Sequence, residues 1–411
     1  MSGSFQWHMW GLDMKNKTLA IFVIFFISVA LVTVASAGTE NKLTQDERLT
    51  LRTSIYGNYV FWTECAGNDV HAYDLTTGNR TDITGNSAGS NLNAYGDKVV
   101  WTSDSETVYM YDISTGNETL IASGRRIPDI YGNYIVYTNN YYYGEDHQND
   151  GIYLYDLNTH NETRIAAVYS FPAIYGKKVV WSQENNNNTY DIYLYDISTQ
   201  QTGKITTTNI SIPESELDIY GNIVVWTESG NVYMHDIASN KTTQVTSNVS
   251  AYQPAIYANS IVYTVGDPYS GGNKDIYMYE ISAARTTRIT NSTLAFSPSV
   301  YGDKIVYADC RNNPEFCEAR DIYLYDLSNT SNNLAANFTG NVSSGNAPLN
   351  VSFTDTGTGT PDEWYWDFED GDISNEQDPV HTYLSAGNYT VCLTVNNANG
   401  TDSKLATIHV K

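Results

Sequence analysis

Chemistry in a folded chain needs nucleophiles, general acids and bases, or metal ligands that converge on one point, and this sequence offers few such sets. The seven histidines (His8, His71, His147, His160, His235, His381, His409) occur singly, without the spacing of a zinc site. No G-x-S-x-G elbow, phosphate-cradling glycine loop or C-x-x-C pair is present. We therefore assign no catalytic residue. Among the four cysteines, Cys310 and Cys317 flank the short loop CRNNPEFC and suit a disulfide, with Cys65–Cys310 as the rival pairing and Cys392 as a lone core thiol. The acidic turn Glu369, Asp370, Asp372 carries oxygens of the kind calcium takes, with a merely solvated turn as the alternative. Otherwise no cofactor is expected. A last group is mixed: Tyr141, Tyr142, Tyr143, Tyr269 and Phe316 lie among Glu145, Asp146, Asp150, Asp267 and Glu315. Aromatic faces beside carboxylates suit carbohydrate stacking or calcium-assisted protein contact, and such loops are also often only solvated.

What positions these residues is a repeat. IYGNYVFWTE from Ile55 returns as AYGDKVVWTS from Ala94, IYGNYIVYTN from Ile130, IYGKKVVWSQ from Ile174, IYGNIVVWTE from Ile219, IYANSIVYTV from Ile256 and VYGDKIVYAD from Val300. Each copy is followed by a second half such as DIYLYDISTQQTGKIT. The marker tyrosines Tyr56, Tyr95, Tyr131, Tyr175, Tyr220, Tyr257 and Tyr301 recur about every 40 residues, the period of a propeller blade. Alternating apolar runs joined by Tyr-Gly and Thr-Gly-Asn turns give four antiparallel strands per unit. Seven units make a seven-bladed β-propeller over residues 38–335. The marker tyrosines are expected to pack between blades with their hydroxyls near the rim. The recurrent Asp74, Asp112, Asp156, Asp196, Asp236 and Asp326 are expected to cap the turns that follow them. The seventh unit lacks its fourth strand, and Asn41–Thr44 has the pattern to replace it, closing the ring. These units resemble the TolB-like, WD40-like propeller repeats of exported proteins.

From Ala336 the pattern changes to runs such as LNVSFTD and YTVCLTV separated by Gly and Asn turns, which fit a small β-sandwich over residues 336–411. The segment WDFEDG from Trp366, with His381-Thr382-Tyr383 and the run from Gly387 to Val391, resembles the PKD domain, an immunoglobulin-like module of cell-surface proteins. That resemblance implies a spacer or adhesion role, with Trp366 in the core. Glu369 stands where the family carries glycine, so a positive φ there would strain or alter the turn. The fold class is thus all-β: a seven-bladed propeller plus a C-terminal immunoglobulin-like sandwich.

Residues 1–37 read as a signal peptide, with Met14 as an alternative start, Lys15 and Lys17 before an apolar run from Leu19 to Val34, and cleavage after Ala35-Ser36-Ala37. With the signal removed, no integral membrane segment is expected. The net charge of −24 argues against nucleic acid as a partner. Strand order places the uniform loops on one face of the disc and the variable ones, which carry the aromatic and acidic residues above, on the other. Sequons at Asn79, Asn117, Asn161 and Asn240 fall in the uniform turns and would crowd that face with sugar. The expected role is a non-enzymatic protein of the cell surface or envelope that binds envelope proteins or glycans through its variable face. Propeller and PKD together resemble surface-layer-associated proteins of methanogenic archaea. A carbohydrate-active enzyme or lectin, and a periplasmic TolB-like scaffold, are the alternatives.

Overall fold

The computed structural model describes residues 33–34, 38–44, 50–64, 69–84, 90–103, 105–139, 150–185, 189–210, 217–267, 273–312, 320–328, 334–397 and 400–411. The chain separates into two compact units, Met1–Leu31 and Val32–Lys411, and every described residue belongs to the second. Of the expected signal segment only Thr33–Val34 is described, paired in parallel with Thr287 and Arg288. Among the described residues there is no helix, so none is long and apolar enough to cross a membrane.

Seven antiparallel sheets follow one another in the order of the repeat. Blade three shows the pattern. Arg126–Tyr131 turns through Gly132 into Tyr134–Asn139, which pairs with Gly151–Asp156, which pairs in turn with Asn161–Ala166. Period-two alternation buries one aromatic per blade on the second strand. Trp62, Trp101, Trp181 and Trp226 fill this position in four blades and Tyr137, Tyr263 and Tyr307 in the others. Six of them stack on the third strand, among them Trp101 on Tyr109, Tyr137 on Tyr153 and Trp181 on Tyr193, while Trp62 packs tilted against His71, the histidine that replaces tyrosine in blade one. The third-strand aspartates cap their own turns, with Thr76 N–H donating to Asp74 Oδ1 at 2.8 Å and Asn158 N–H to Asp156 Oδ1 at 2.8 Å.

The ring is closed by the N-terminal segment. Thr39–Lys42 pairs antiparallel with Asp321–Asp326 as the outer strand of blade seven, Thr39 opposite Asp326 and Lys42 opposite Tyr323. A charged cluster holds it there. The Arg311 guanidinium donates to both Glu40 oxygens (2.7 and 2.9 Å) and to Asp309 Oδ2 (2.8 Å), and lies over the Tyr323 ring. Tyr307 donates its hydroxyl to Glu40 as well.

Two further sheets form the C-terminal sandwich. One holds Phe338–Gly340, Leu349–Asp355 and Val380–Tyr383; the other is built on Glu363–Asp367, Gly387–Asn397 and Gly400–Val410. Trp366 is fully buried between them, packed with Phe338, Phe353 and Phe368, and donates Nε1–H to the Glu376 carbonyl at 2.9 Å.

Replacing Arg311 by alanine strands the buried Asp309 carboxylate and frees Glu40. We expect a loss of about 3 kcal/mol or more in chemical denaturation. Lysine should restore only part of it, because an ammonium cannot present the planar fork that bridges two carboxylates.

Candidate functional site

Every first strand ends at its marker tyrosine, and the seven tyrosines meet around the axis. Tyr56, Tyr95, Tyr131, Tyr175, Tyr220, Tyr257 and Tyr301 form a closed ring, each centroid 4.3 to 4.8 Å from the next. All seven are buried. The expectation that they lie between blades with hydroxyls at the rim is thus corrected: adjacent blades converge at their first strands, so the last residue before the turn faces the axis.

The C-terminal domain covers the hydroxyl end of this ring. Tyr95 donates to the Glu369 carbonyl at 2.6 Å, while Tyr131 and Tyr175 donate to Asp367 Oδ1 and Oδ2 at 3.3 Å each. Asn259 and Ser282 of blade six donate to Glu363. Two glycines allow the approach. Gly176 and Gly371 both have positive φ, and a Cβ built on Gly176 would lie 2.9 Å from the Gly371 carbonyl oxygen. The face of short uniform turns is therefore occupied near its axis by the protein's own second domain.

Glu369 adopts φ +65°, the left-handed conformation that a glycine would take without strain. Its buried side chain accepts the Thr390 N–H and turns away from Asp370 and Asp372, so the expected calcium trio is not brought together. Asp370 and Asp372 meet His381 instead, and His381 Nε2 lies 2.7 Å from Asp370 Oδ2. Burial pushes the Asp367 carboxyl up to about 6 and the Glu369 carboxyl to about 8. Burial also pushes the Cys392 thiol up to about 11, where it sits against the ring as an inert free cysteine.

The opposite end of the axis is open. A cavity of about 150 Å³ there is lined by the beginnings of all seven first strands. Its wall is stitched across blades. Asp129 Oδ2 accepts Ile174 N–H of the next blade and Asp218 Oδ2 accepts Ile256 N–H, both at 2.8 Å. Their Oδ1 atoms accept Ile130 and Ile219 N–H. Both carboxyls sit deep in the disc but touch the cavity, and burial pushes Asp129 up to about 7 and Asp218 to about 6. Around the mouth the backbone takes positive φ at Asn91, Ile127, Gln253 and Ser297, each four residues before its marker tyrosine. In blades three, six and seven this is a β-bulge that redirects side chains toward the axis.

The variable loops leave from this same face. Asp150 is half-buried and accepts Arg164 on its carbonyl, and Asp267 is exposed. Tyr141, Tyr142, Tyr143, Glu145, Asp146, Tyr269, Glu315 and Phe316 lie outside the described residues. So do Cys65 and Cys317; Cys310 is buried and disulfide-bonded. Asn79, Asn117, Asn161 and Asn240 are exposed, the first three opening their fourth strands and Asn240 in the turn before its own, on the covered face. The cavity itself went unread in the sequence. Its signal was the run of residues before each marker tyrosine, where Asp129 and Asp218 recur two places ahead of Tyr131 and Tyr220.

Two substitutions test the seat of the C-terminal domain. Gly132→Ala meets open space and should cost only the φ penalty, about 1 kcal/mol, whereas Gly176→Ala also collides with the Gly371 backbone and should lower the unfolding midpoint clearly further. The Glu369 carboxyl holds its proton more tightly folded than unfolded, so its contribution falls as pH rises from about 4.5 toward 8. Glu369→Gly removes that fall and the backbone strain, and its advantage over wild type in thermal melts should widen from pH 5 to pH 8.

Comparison with known proteins agrees with this architecture. Residues 331–411 match the family model for the PKD domain. No curated protein matches the sequence. The β-propeller domain of the Trilobed protease from Pyrococcus furiosus superposes with a TM-score of 0.53 at 12% identity, over 69% of this chain and 95% of that one. Oligogalacturonate lyase from Vibrio parahaemolyticus gives 0.51 at 12%, over 73% and 96%. Acylaminoacyl peptidase from Pyrococcus horikoshii gives 0.51 at 11%, over 76% and 59%. At such identities the likeness is one of fold: the chain is a seven-bladed β-propeller that carries a PKD domain at its C-terminus.

Proposed function

We propose that this protein is a non-enzymatic recognition scaffold, exported to the cell surface or envelope, whose open propeller face binds an envelope protein or glycan. One observation carries the reading: the PKD domain occupies the uniform face, so the axial cavity and the variable loops share the face that remains open. A rigid disc presenting divergent loops around a polar depression is a recognition architecture. The signal-like N-terminus and the PKD module support an extracytoplasmic setting, and exposed sequons on the covered face would keep sugar away from the binding end. The resemblance to surface-layer-associated proteins of methanogenic archaea makes a surface-layer protein or its glycan the first partner to seek. Calcium, if used, would bridge loop carboxylates to that partner.

Cell fractionation with mass spectrometry of the native protein should find it outside the cytoplasm together with an envelope component. Changing Tyr141–Tyr143 to serine and Asp267 to asparagine should abolish that co-purification, whereas glutamine at Asn79, Asn117, Asn161 and Asn240 should leave it intact. Turnover in a polysaccharide lyase and hydrolase screen, lost on changing open-face carboxylates, would overturn the non-enzymatic reading in favour of the carbohydrate-active alternative.

A further inference from the structure

We propose that the axial cavity of the open face is a binding site for a small primary amine, taken up as its ammonium between Asp129 and Asp218. The inference rests on the open face being the recognition face and names a ligand chemistry for its centre.

The cavity is a built feature. Every blade contributes to its wall, and its volume of about 150 Å³ is that of a cavity able to hold a benzene-sized molecule. Four blades place a non-glycine residue at positive φ around its mouth, including the β-branched Ile127, for which that conformation is a true outlier. Strain of this kind persists where the surroundings impose it, and ligand clamps are one such setting.

Its polar groups define what fits. Each oxygen of Asp129 and Asp218 holds one peptide N–H, which leaves further lone pairs available to a donor. Among the described residues neither carboxylate has a cationic partner. Arg52, on blade one, is the only basic residue of the described wall and pairs with neither. Ser297 is 6% exposed, lines the cavity, and its hydroxyl has no hydrogen-bond partner among the described residues. The Gln253 carbonyl is engaged by Ser297 N–H and Thr264 Oγ1–H. Phe171 supplies an aromatic edge to the same wall. Carboxylates without a cationic partner in a partly desolvated depression attract positive charge, and an ammonium offers three donors to carboxylate acceptors. A divalent metal fits less well, because the described wall offers only two carboxylates, each already holding two peptide N–H groups, where calcium takes about six to eight oxygen ligands.

The pH dependence follows from the same groups. An ammonium requires ionised carboxylates, and Asp129 and Asp218 ionise near 7 and 6 in the empty cavity. The remaining charge on the described wall, Arg52, stays fixed over this range.

The test is calorimetric titration of the full protein with ethanolamine and glucosamine, with N-acetylglucosamine as the neutral counterpart and calcium chloride as the metal arm. We expect both amines to bind, at least about tenfold more tightly at pH 8 than at pH 5, with N-acetylglucosamine and calcium silent at this site. Asp129→Asn and Asp218→Asn should each weaken amine binding at least about tenfold, and Ser297→Ala by less. Because these aspartates also join blades, the wild-type pH series stands as evidence should either variant fail to fold. No binding of either amine, equal binding of N-acetylglucosamine, pH-independent affinity, or heat from calcium alone would overturn the proposal. If partner capture by the open face persists after such a failure, only the amine is excluded; loss of both removes the recognition reading itself.

Discussion

Seven phenol rings closed around one axis are the contact on which the rest of the molecule depends. A propeller is stable only when its inner strands meet, and here they meet through tyrosines whose bodies pack as hydrocarbon and whose hydroxyls still need partners. A buried hydroxyl left unsatisfied costs about 1–3 kcal/mol. The PKD domain answers that need on blades two to four, where Tyr95, Tyr131 and Tyr175 donate to Glu369 and Asp367. On blades one, six and seven, Tyr56, Tyr257 and Tyr301 find no hydrogen-bond partner among the described residues. Tyr257 and Tyr301 lie near the Cys392 thiol, a weak acceptor at best. The second domain thus answers the ring unevenly: it takes the hydroxyls of blades two to four, while on blade six it is held from outside the ring by Asn259 and Ser282.

This seat divides the disc into two chemically different ends. Both ends of the axis hold carboxyls: Asp367 and Glu369 buried under the PKD domain, Asp129 and Asp218 half-buried in the wall of the open cavity. They differ in what answers them. At the covered end, tyrosine hydroxyls and peptide N–H groups reach the acids, and the site is closed. At the open end, among the described residues, only peptide N–H groups do so, and the cavity leads to solvent. Part of the formal negative charge counted from the sequence therefore belongs to carboxyls along the axis, where burial favours the protonated form.

The backbone accommodates this arrangement locally. Gly176 and Gly371 allow two main chains to touch where any side chain would hold them apart. Glu369 shows the opposite solution, a residue held at positive φ because its carbonyl and carboxyl are both engaged, by Tyr95 and Thr390. The departure from glycine at this position was visible in the motif, and its consequence for the backbone could be stated from it. That the carboxyl would be drawn into the interface, away from Asp370 and Asp372, could not.

The blades were legible because one blade is one sequence period: alternation assigns each strand's buried side, Tyr-Gly and Asp-capped turns mark its ends, and a missing fourth strand in the last unit points to the first residues that match it. The sandwich was legible for the same reason, with Trp366 in its core. These are short-range properties, carried by residues within a few positions of one another. Period two says which side of a strand is buried but not what it meets, so the sequence could not tell that the marker tyrosines ring the axis instead of lying between blades. Nor could it tell that the second domain sits on the uniform face, or that Asp129 and Asp218 share one cavity. Those facts depend on closing seven units into a circle and laying another domain across it, and only the tertiary structure brings residues so distant in the chain within reach of one another.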